Sequence, residues 1–179
     1  MDNFKIIVIS NPKPIINESA IITDLFSNGL KFFHLRKPFD KITTTAKLLK
    51  NIPNQFHSRI VIHQHYQLIN DFELMGIHIK RNNSDIPKDC NIISTSFHSF
   101  HELYNKNNYK YVFLSPIFNS ISKNGYNSNF TLDDLQTAYN KNIIDNKIIA
   151  LGGINPDNIN IIKKIGFGGA AVLGYIWQR

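Results

Sequence analysis

Cysteine is almost absent from the 179-residue chain: Cys90 stands alone. One thiol excludes an internal disulfide and any zinc site built from paired cysteines, and it fits a reducing compartment. Long apolar runs are missing too. None approaches the roughly 18 residues a membrane span needs, and "MDNFKIIVIS" lacks the basic-then-apolar layout of an export signal. We therefore expect a cytoplasmic protein with no membrane partner. Acidic residues are the minority, 13 against 20 Lys and Arg. The basic residues are scattered and form no tract, so nucleic acid is not expected as a partner. A solvated lysine-rich surface or a pocket for a phosphorylated small molecule accounts for the balance. The scarcest feature in its proper place is a carboxylate: no Asp or Glu lies at any predicted strand end, where a hard metal would need one.

What the chain does contain is a rhythm of short Val/Ile/Phe-rich runs separated by amphipathic segments. The predicted strands are Lys5–Ser10, Lys31–Arg36, Arg59–Gln64, Gly76–Lys80, Asn91–Ser96, Lys110–Ser115, Lys147–Gly152 and Gly169–Gly174. Predicted helices include Glu18–Asn28, Ile42–Asn51, Tyr66–Leu74, Ser99–Lys106, Leu132–Asn140 and Asp157–Ile165. Strands alternating with helices indicate a parallel sheet. Eight such units predict a single α/β domain over residues 1–179, a (β/α)8 TIM barrel; a doubly wound open sheet is the alternative. Two units look irregular. "RNNSDIPKDC" is too short for a full fourth helix, and only "YIWQR" follows strand 8, so the eighth helix is expected to be missing. A homodimer would cover the flank left open.

In this fold the active site lies at the C-terminal strand ends, and here those ends are polar. Strand 2 closes on His34, Arg36 and Lys37, strand 3 on His63, Gln64 and His65, strand 4 on His78 and Lys80, and strand 5 on Ser96 with His98 beyond. Ser120, Ser122 and Lys123 follow strand 6, Gly152 and Gly153 close strand 7, and Gly174 closes strand 8. Alternation puts His34 with Arg36 and His78 with Lys80, opposite the apolar residues between them. "LGGINPDN" suggests a phosphate loop, with Asn155 as helix N-cap and Pro156 at the first helical position. Zinc on three or four of His34, His63, His65 and His78 is the alternative to a hydrogen-bonding pocket lining; the lining is the expectation, with no metal. His57 and His101 are expected on the surface.

These motifs together resemble the thiamine phosphate synthase family and its TenI branch. The resemblance spans nearly the whole chain and is strongest in "FFHLRKP", "GIHIKR", "ISTSFHSFHEL", "YVFLSPIFNSISKNGY", "IIALGGINPDN" and "GFGGAAVLG". It implies a (β/α)8 barrel whose synthases join a pyrimidine diphosphate to a thiazole phosphate with magnesium. It implies that Ser120, Ser122, Gly153 and the Leu173–Gly174 backbone hold the thiazole phosphate, and that Arg36, Ser96 and Lys123 face the diphosphate. Where synthases carry Asn-Asp after strand 3, this chain has His63 and Gln64. Where they carry Gly-Gln-x-Asp after strand 4, it has Lys80, Arg81, Asn82 and Asn83. Both metal carboxylates implied by the resemblance are replaced. The TenI branch departs at the same places, and some members are metal-independent thiazole tautomerases with a histidine in Ser-x-His-Ser; "SFHS" puts His98 there. The expectation is a tautomerase using His98, with Arg36 and Lys80 or Lys123 on the substrate carboxylate. The alternatives are a synthase with an altered metal site, the one case in which magnesium is expected, and a non-catalytic sensor of thiamin-pathway phosphates.

Overall fold

The computed structural model describes residues 4–80, 86, 90–119 and 128–177. Its strands are β1 (Lys5–Ile9), β2 (Phe32–Leu35), β3 (Ile60–Ile62), β4 (Gly76–Ile79), β5 (Ile92–Phe97), β6 (Tyr111–Leu114), β7 (Ile148–Leu151) and β8 (Gly169–Val172). They follow one another as neighbours in a closed barrel, β1 to β8. The expected (β/α)8 barrel is therefore the fold, and the open doubly wound sheet is not. The strands qualify because Val, Ile and Phe fit a pleated surface buried on both sides. Every residue of β3, β4, β6 and β8 is buried.

By contacts the chain divides into two compact units, Val8–Ile93 and Met1–Ile7 with Ser94–Arg179. In the first, α1 (Glu18–Ser27) and α2 (Ile42–Lys50) follow β1 and β2. The third helix is shorter than predicted: α3 is only Leu68–Asp71. The expected run to Leu74 breaks where Glu73 takes φ 49°, a left-handed conformation that a right-handed helix cannot include. In the second unit, α4 (Leu132–Asn140) matches its predicted bounds. Thr131 Oγ1 accepts the Asp134 N–H and Asp134 accepts the Thr131 N–H, a reciprocal cap. The fifth crossover is instead a 3-10 helix, Glu102–Asn108. Its Asn-rich sequence is a poor α-helix former. After β8 comes one turn, α6 (Gly174–Trp177). The segment between β4 and β5 falls largely outside the described residues. Among the described residues no helix is long and apolar enough to cross a membrane.

Candidate functional site

Within the Val8–Ile93 unit, three neighbouring strands each bring one histidine to a common point. The register pairs Leu35 with Ile62 and Ile62 with Ile77. One step further along, His63 stands level with His78, while His34 lies two residues before Arg36 on the same face. The rings meet accordingly. His34 Nδ1 and His63 Nε2 are 2.8 Å apart, and the His63 and His78 rings stack at 4.1 Å between centroids. One ring nitrogen from each of the three lies within 4.8 Å of the others. His34 is 0% exposed, His78 5% and His63 9%.

Burial holds all three imidazoles neutral. His34 and His63 fall well below the ordinary histidine value, first by desolvation and then by the neighbouring His78. Arg36 and Lys80 add to the depression of His63. His78 is lowered to about 3 by burial and then by Arg36. At neutral pH the cluster is a set of uncharged donors and acceptors beside two positive charges.

The surrounding residues hold the strand ends rather than a ligand. Ser10 Oγ accepts the Arg36 N–H at 2.8 Å and donates to the Arg36 carbonyl at 3.0 Å, fixing the backbone from which Arg36 projects. Gln64 Oε1 accepts the Lys37 N–H at 2.8 Å. His65, at the same predicted strand end as His63, turns away: it has φ 56°, and its Nε2 reaches the Asp40 carbonyl at 2.9 Å.

Lys37 corrects the sequence reading. Expected on the substrate, its side chain is 1% exposed and points into the protein. Its ammonium donates to Glu18 Oε2 at 2.6 Å, to the Asn11 carbonyl at 2.8 Å and to the Lys13 carbonyl at 3.1 Å. Three N–H groups and three acceptors leave it nothing for a ligand. His57 is a second correction. Expected on the surface, it is 5% exposed, and Nε2 meets the Leu49 and Ile52 carbonyls at 3.1 and 3.0 Å. It satisfies carbonyls that the end of α2 leaves open. His101 is exposed, as expected.

The second unit carries His98, exposed one residue beyond β5. Its Nδ1 lies 2.9 Å from the Ser115 carbonyl and 3.3 Å from Ser115 Oγ. A carbonyl can only accept, so Nδ1 carries the hydrogen and Nε2 keeps its lone pair. The backbone is fixed as well, because the His98 and Ser99 N–H groups donate to Glu102 Oε2 at 2.6 and 3.1 Å. Glu102 and Ser10 are positioning residues that the strand-end pattern did not single out. The Ser-x-x-Glu spacing of Ser99 and Glu102 was the readable signal for the first.

The glycines after β7 answer first to packing. Gly152 has φ +102°, and a Cβ there would meet Pro116 Cα at 2.9 Å. Gly153 has φ +63°, and its Cβ would meet Phe118 Cβ at 2.8 Å. Both are needed for the close approach of the residues after β6. The helix beyond starts later than predicted: α5 is Ile159–Ile165, and Asn158, not Asn155, precedes it. Asn155 Oδ1 instead accepts the Asp157 and Asn158 N–H groups, and Asn158 Oδ1 accepts the Asn155 N–H. The Asx turn competes with the helix for the same backbone donors. Those three donors are therefore already satisfied within the loop.

Ser96 is half-buried in β5, Lys80 is exposed just past β4, and Gly174 opens α6. Ser120, Ser122 and Lys123 lie outside the described residues. So does Asn83, one of the two positions where the resemblance implies a metal carboxylate. At the other, Gln64 offers a neutral amide oxygen that already serves Lys37, which does not fit magnesium and its preference for anionic oxygen ligands.

Comparison with known proteins agrees with the barrel. A thiamine-phosphate synthase of Flavobacterium psychrophilum is 25% identical over 194 residues, covering 97% of this chain and 91% of that protein. A crystal structure of a thiamine phosphate pyrophosphorylase from Bacteroides thetaiotaomicron superposes with a TM-score of 0.87 at 44% identity, covering 97% of this chain and 85% of that one. A thiamine phosphate pyrophosphorylase from Pyrococcus furiosus, at 19% identity and a TM-score of 0.73 over 96% of this chain and 86% of that one, shares the fold. The family model described as thiamine monophosphate synthase matches residues 6–176. With the match running over nearly every residue of the barrel, the chain belongs to the thiamine monophosphate synthase family.

Proposed function

We propose that this protein binds a phosphorylated thiazole in thiamine biosynthesis and moves a proton on it, with His98 as general acid and base. The observation that carries this reading is the contact between His98 Nδ1 and the Ser115 carbonyl. It leaves Nε2 as the basic atom on an exposed imidazole, the arrangement a proton shuttle needs. Nε2 takes a proton from one ring position of the thiazole, and the imidazolium returns it at another. The reaction is an isomerisation in which atoms and charge balance and no metal takes part. Arg36, with Lys80 or Lys123, is assigned to the substrate carboxylate. Ser120, Ser122, Gly153 and Gly174 are assigned to the phosphate by the family resemblance.

A second reading is the synthase condensation of a pyrimidine diphosphate with a thiazole phosphate. It is favoured by what the Flavobacterium and Bacteroides relatives are called. Parallel assays separate the two. A thiazole carboxylate phosphate alone should be aromatised by the protein and not by His98→Ala. Formation of thiamine phosphate from both condensation substrates, with no aromatisation, would replace the first reading by the second.

A further inference from the structure

Three imidazoles converging in the interior of a fold is a specific arrangement with a specific chemistry. We propose that His34, His63 and His78 form a three-histidine site for a zinc-class divalent cation. The site goes beyond the proton-transfer reading, and none of its ligands is His98.

Among the described residues the cluster consists of imidazoles alone. Neutral imidazole suits zinc, cobalt, nickel and copper, whereas magnesium and calcium take oxygen. The site is thus selective against the cation that the family resemblance implies. His34 sits within β2, His78 within β4, and His63 one residue past β3, with its N–H donated to the Leu35 carbonyl at 3.0 Å. Tyr66 Oη donates to the His78 carbonyl at 3.0 Å and steadies that strand. Ligands on paired strands are held better than ligands on loops.

Zinc–nitrogen bonds of about 2.0–2.1 Å in tetrahedral geometry place ligand nitrogens about 3.4 Å apart. His34 Nδ1 and His63 Nε2, at 2.8 Å, need to open by about 0.6 Å to reach that spacing. Nitrogens as far apart as the 4.8 Å limit need to close by about 1.4 Å. Loading must also tilt the His63 and His78 rings apart, because they now stack with 13° between their planes. The hydrogen shared by His34 and His63 moves to another ring nitrogen, so two neutral tautomers both present lone pairs.

Three protein ligands leave a fourth position open. Arg36 and Lys80, the cations whose charges act on His63, oppose a bare dication and favour an anion or hydroxide in that position. The ion would thus arrive with a charge-balancing ligand.

The test uses tag-free full-length protein, stripped with a chelator and titrated with cobalt(II). The expected result is one equivalent bound, with visible bands of low-coordinate cobalt. Zinc displaces them, and a large excess of magnesium does not. His63→Ala and His78→Phe, each checked by circular dichroism, should weaken binding by more than the roughly 10–100-fold that loss of an outer partner costs. Should either variant fail to fold, nitrogen NMR of the intact protein decides. Of its seven histidines, zinc should shift His34, His63 and His78. Absence of cobalt bands in the wild-type protein, bands retained in folded variants, or shifts confined to His98 and His101 would overturn the site.

Discussion

The ammonium of Lys37 lies 2.6 Å from the Glu18 carboxylate, with both side chains buried. This pair ties the residue after Arg36 to the first residue of α1. Desolvation raises the Glu18 carboxyl above its ordinary value, and the Lys37 contact opposes that shift. Lys37→Ala would leave Glu18 buried without its partner. The expected loss is about 3–5 kcal/mol of folding stability, read as a lower urea midpoint. Glu18→Gln with Lys37→Met should recover much of it. An unchanged midpoint in Lys37→Ala would show that the ammonium is not held inside.

His57→Ala removes the donor shared by the Leu49 and Ile52 carbonyls. Leaving buried acceptors unmet costs about 1–3 kcal/mol. Thermal melting should show that loss with the reaction rate of the remaining folded protein unaffected. A rate that fell instead would give His57 a role outside the end of α2.

For His98 the expectation is reversed. The side chain is exposed, so His98→Ala should leave the melting temperature within about a degree or two while turnover falls by about 100-fold or more. Glu102→Gln weakens the anchor beneath His98 N–H. It should lower turnover less than His98→Ala does, with little effect on substrate affinity. Equal losses in both variants would argue that Glu102 does more than position His98.

Acid should destabilise the metal-free protein from just below neutrality. The folded pKa values of His34, His63 and His78 lie below the unfolded value near 6.5, His78 at about 3. Between those limits the unfolded chain binds protons that the folded one refuses. Stability is therefore full above about 6.5 and falls as pH drops, by about 1.4 kcal/mol per pH unit for each histidine. Arg36 and Lys80 act in the same sense on His63. Urea midpoints between pH 7.5 and 5, above most carboxylate titration, measure the slope. A flat profile there would mean that the imidazoles are hydrated or already charged.

The barrel was legible because its strands are nearly pure Val, Ile and Phe, a pattern that survives errors of a residue at each end. α4 was legible to the residue because Thr131 and Asp134 mark its start. The helices that failed did so for local reasons: a left-handed Glu73 stops α3, and the Asn155–Asn158 turn delays α5. Alternation stops where a strand stops. Lys37 and His65 both lie past the ends of their strands, Leu35 and Ile62, so period two sets the direction of neither side chain. Burial depth was the quantity no pattern carried. A histidine in "NQFHSR" reads as loop, yet His57 lies under the end of α2.

The bond from Lys37 N–H to Gln64 Oε1 also limits what residue 64 can become. Residue 64 holds the chain beside Arg36, so Gln64→Asp would shorten the side chain by one methylene and withdraw the acceptor that spans to Lys37. The strand end that carries Arg36 would lose its fastening. A carboxylate, the ligand an oxygen-bound metal needs, could serve at this position only if the end of β2 moved as well.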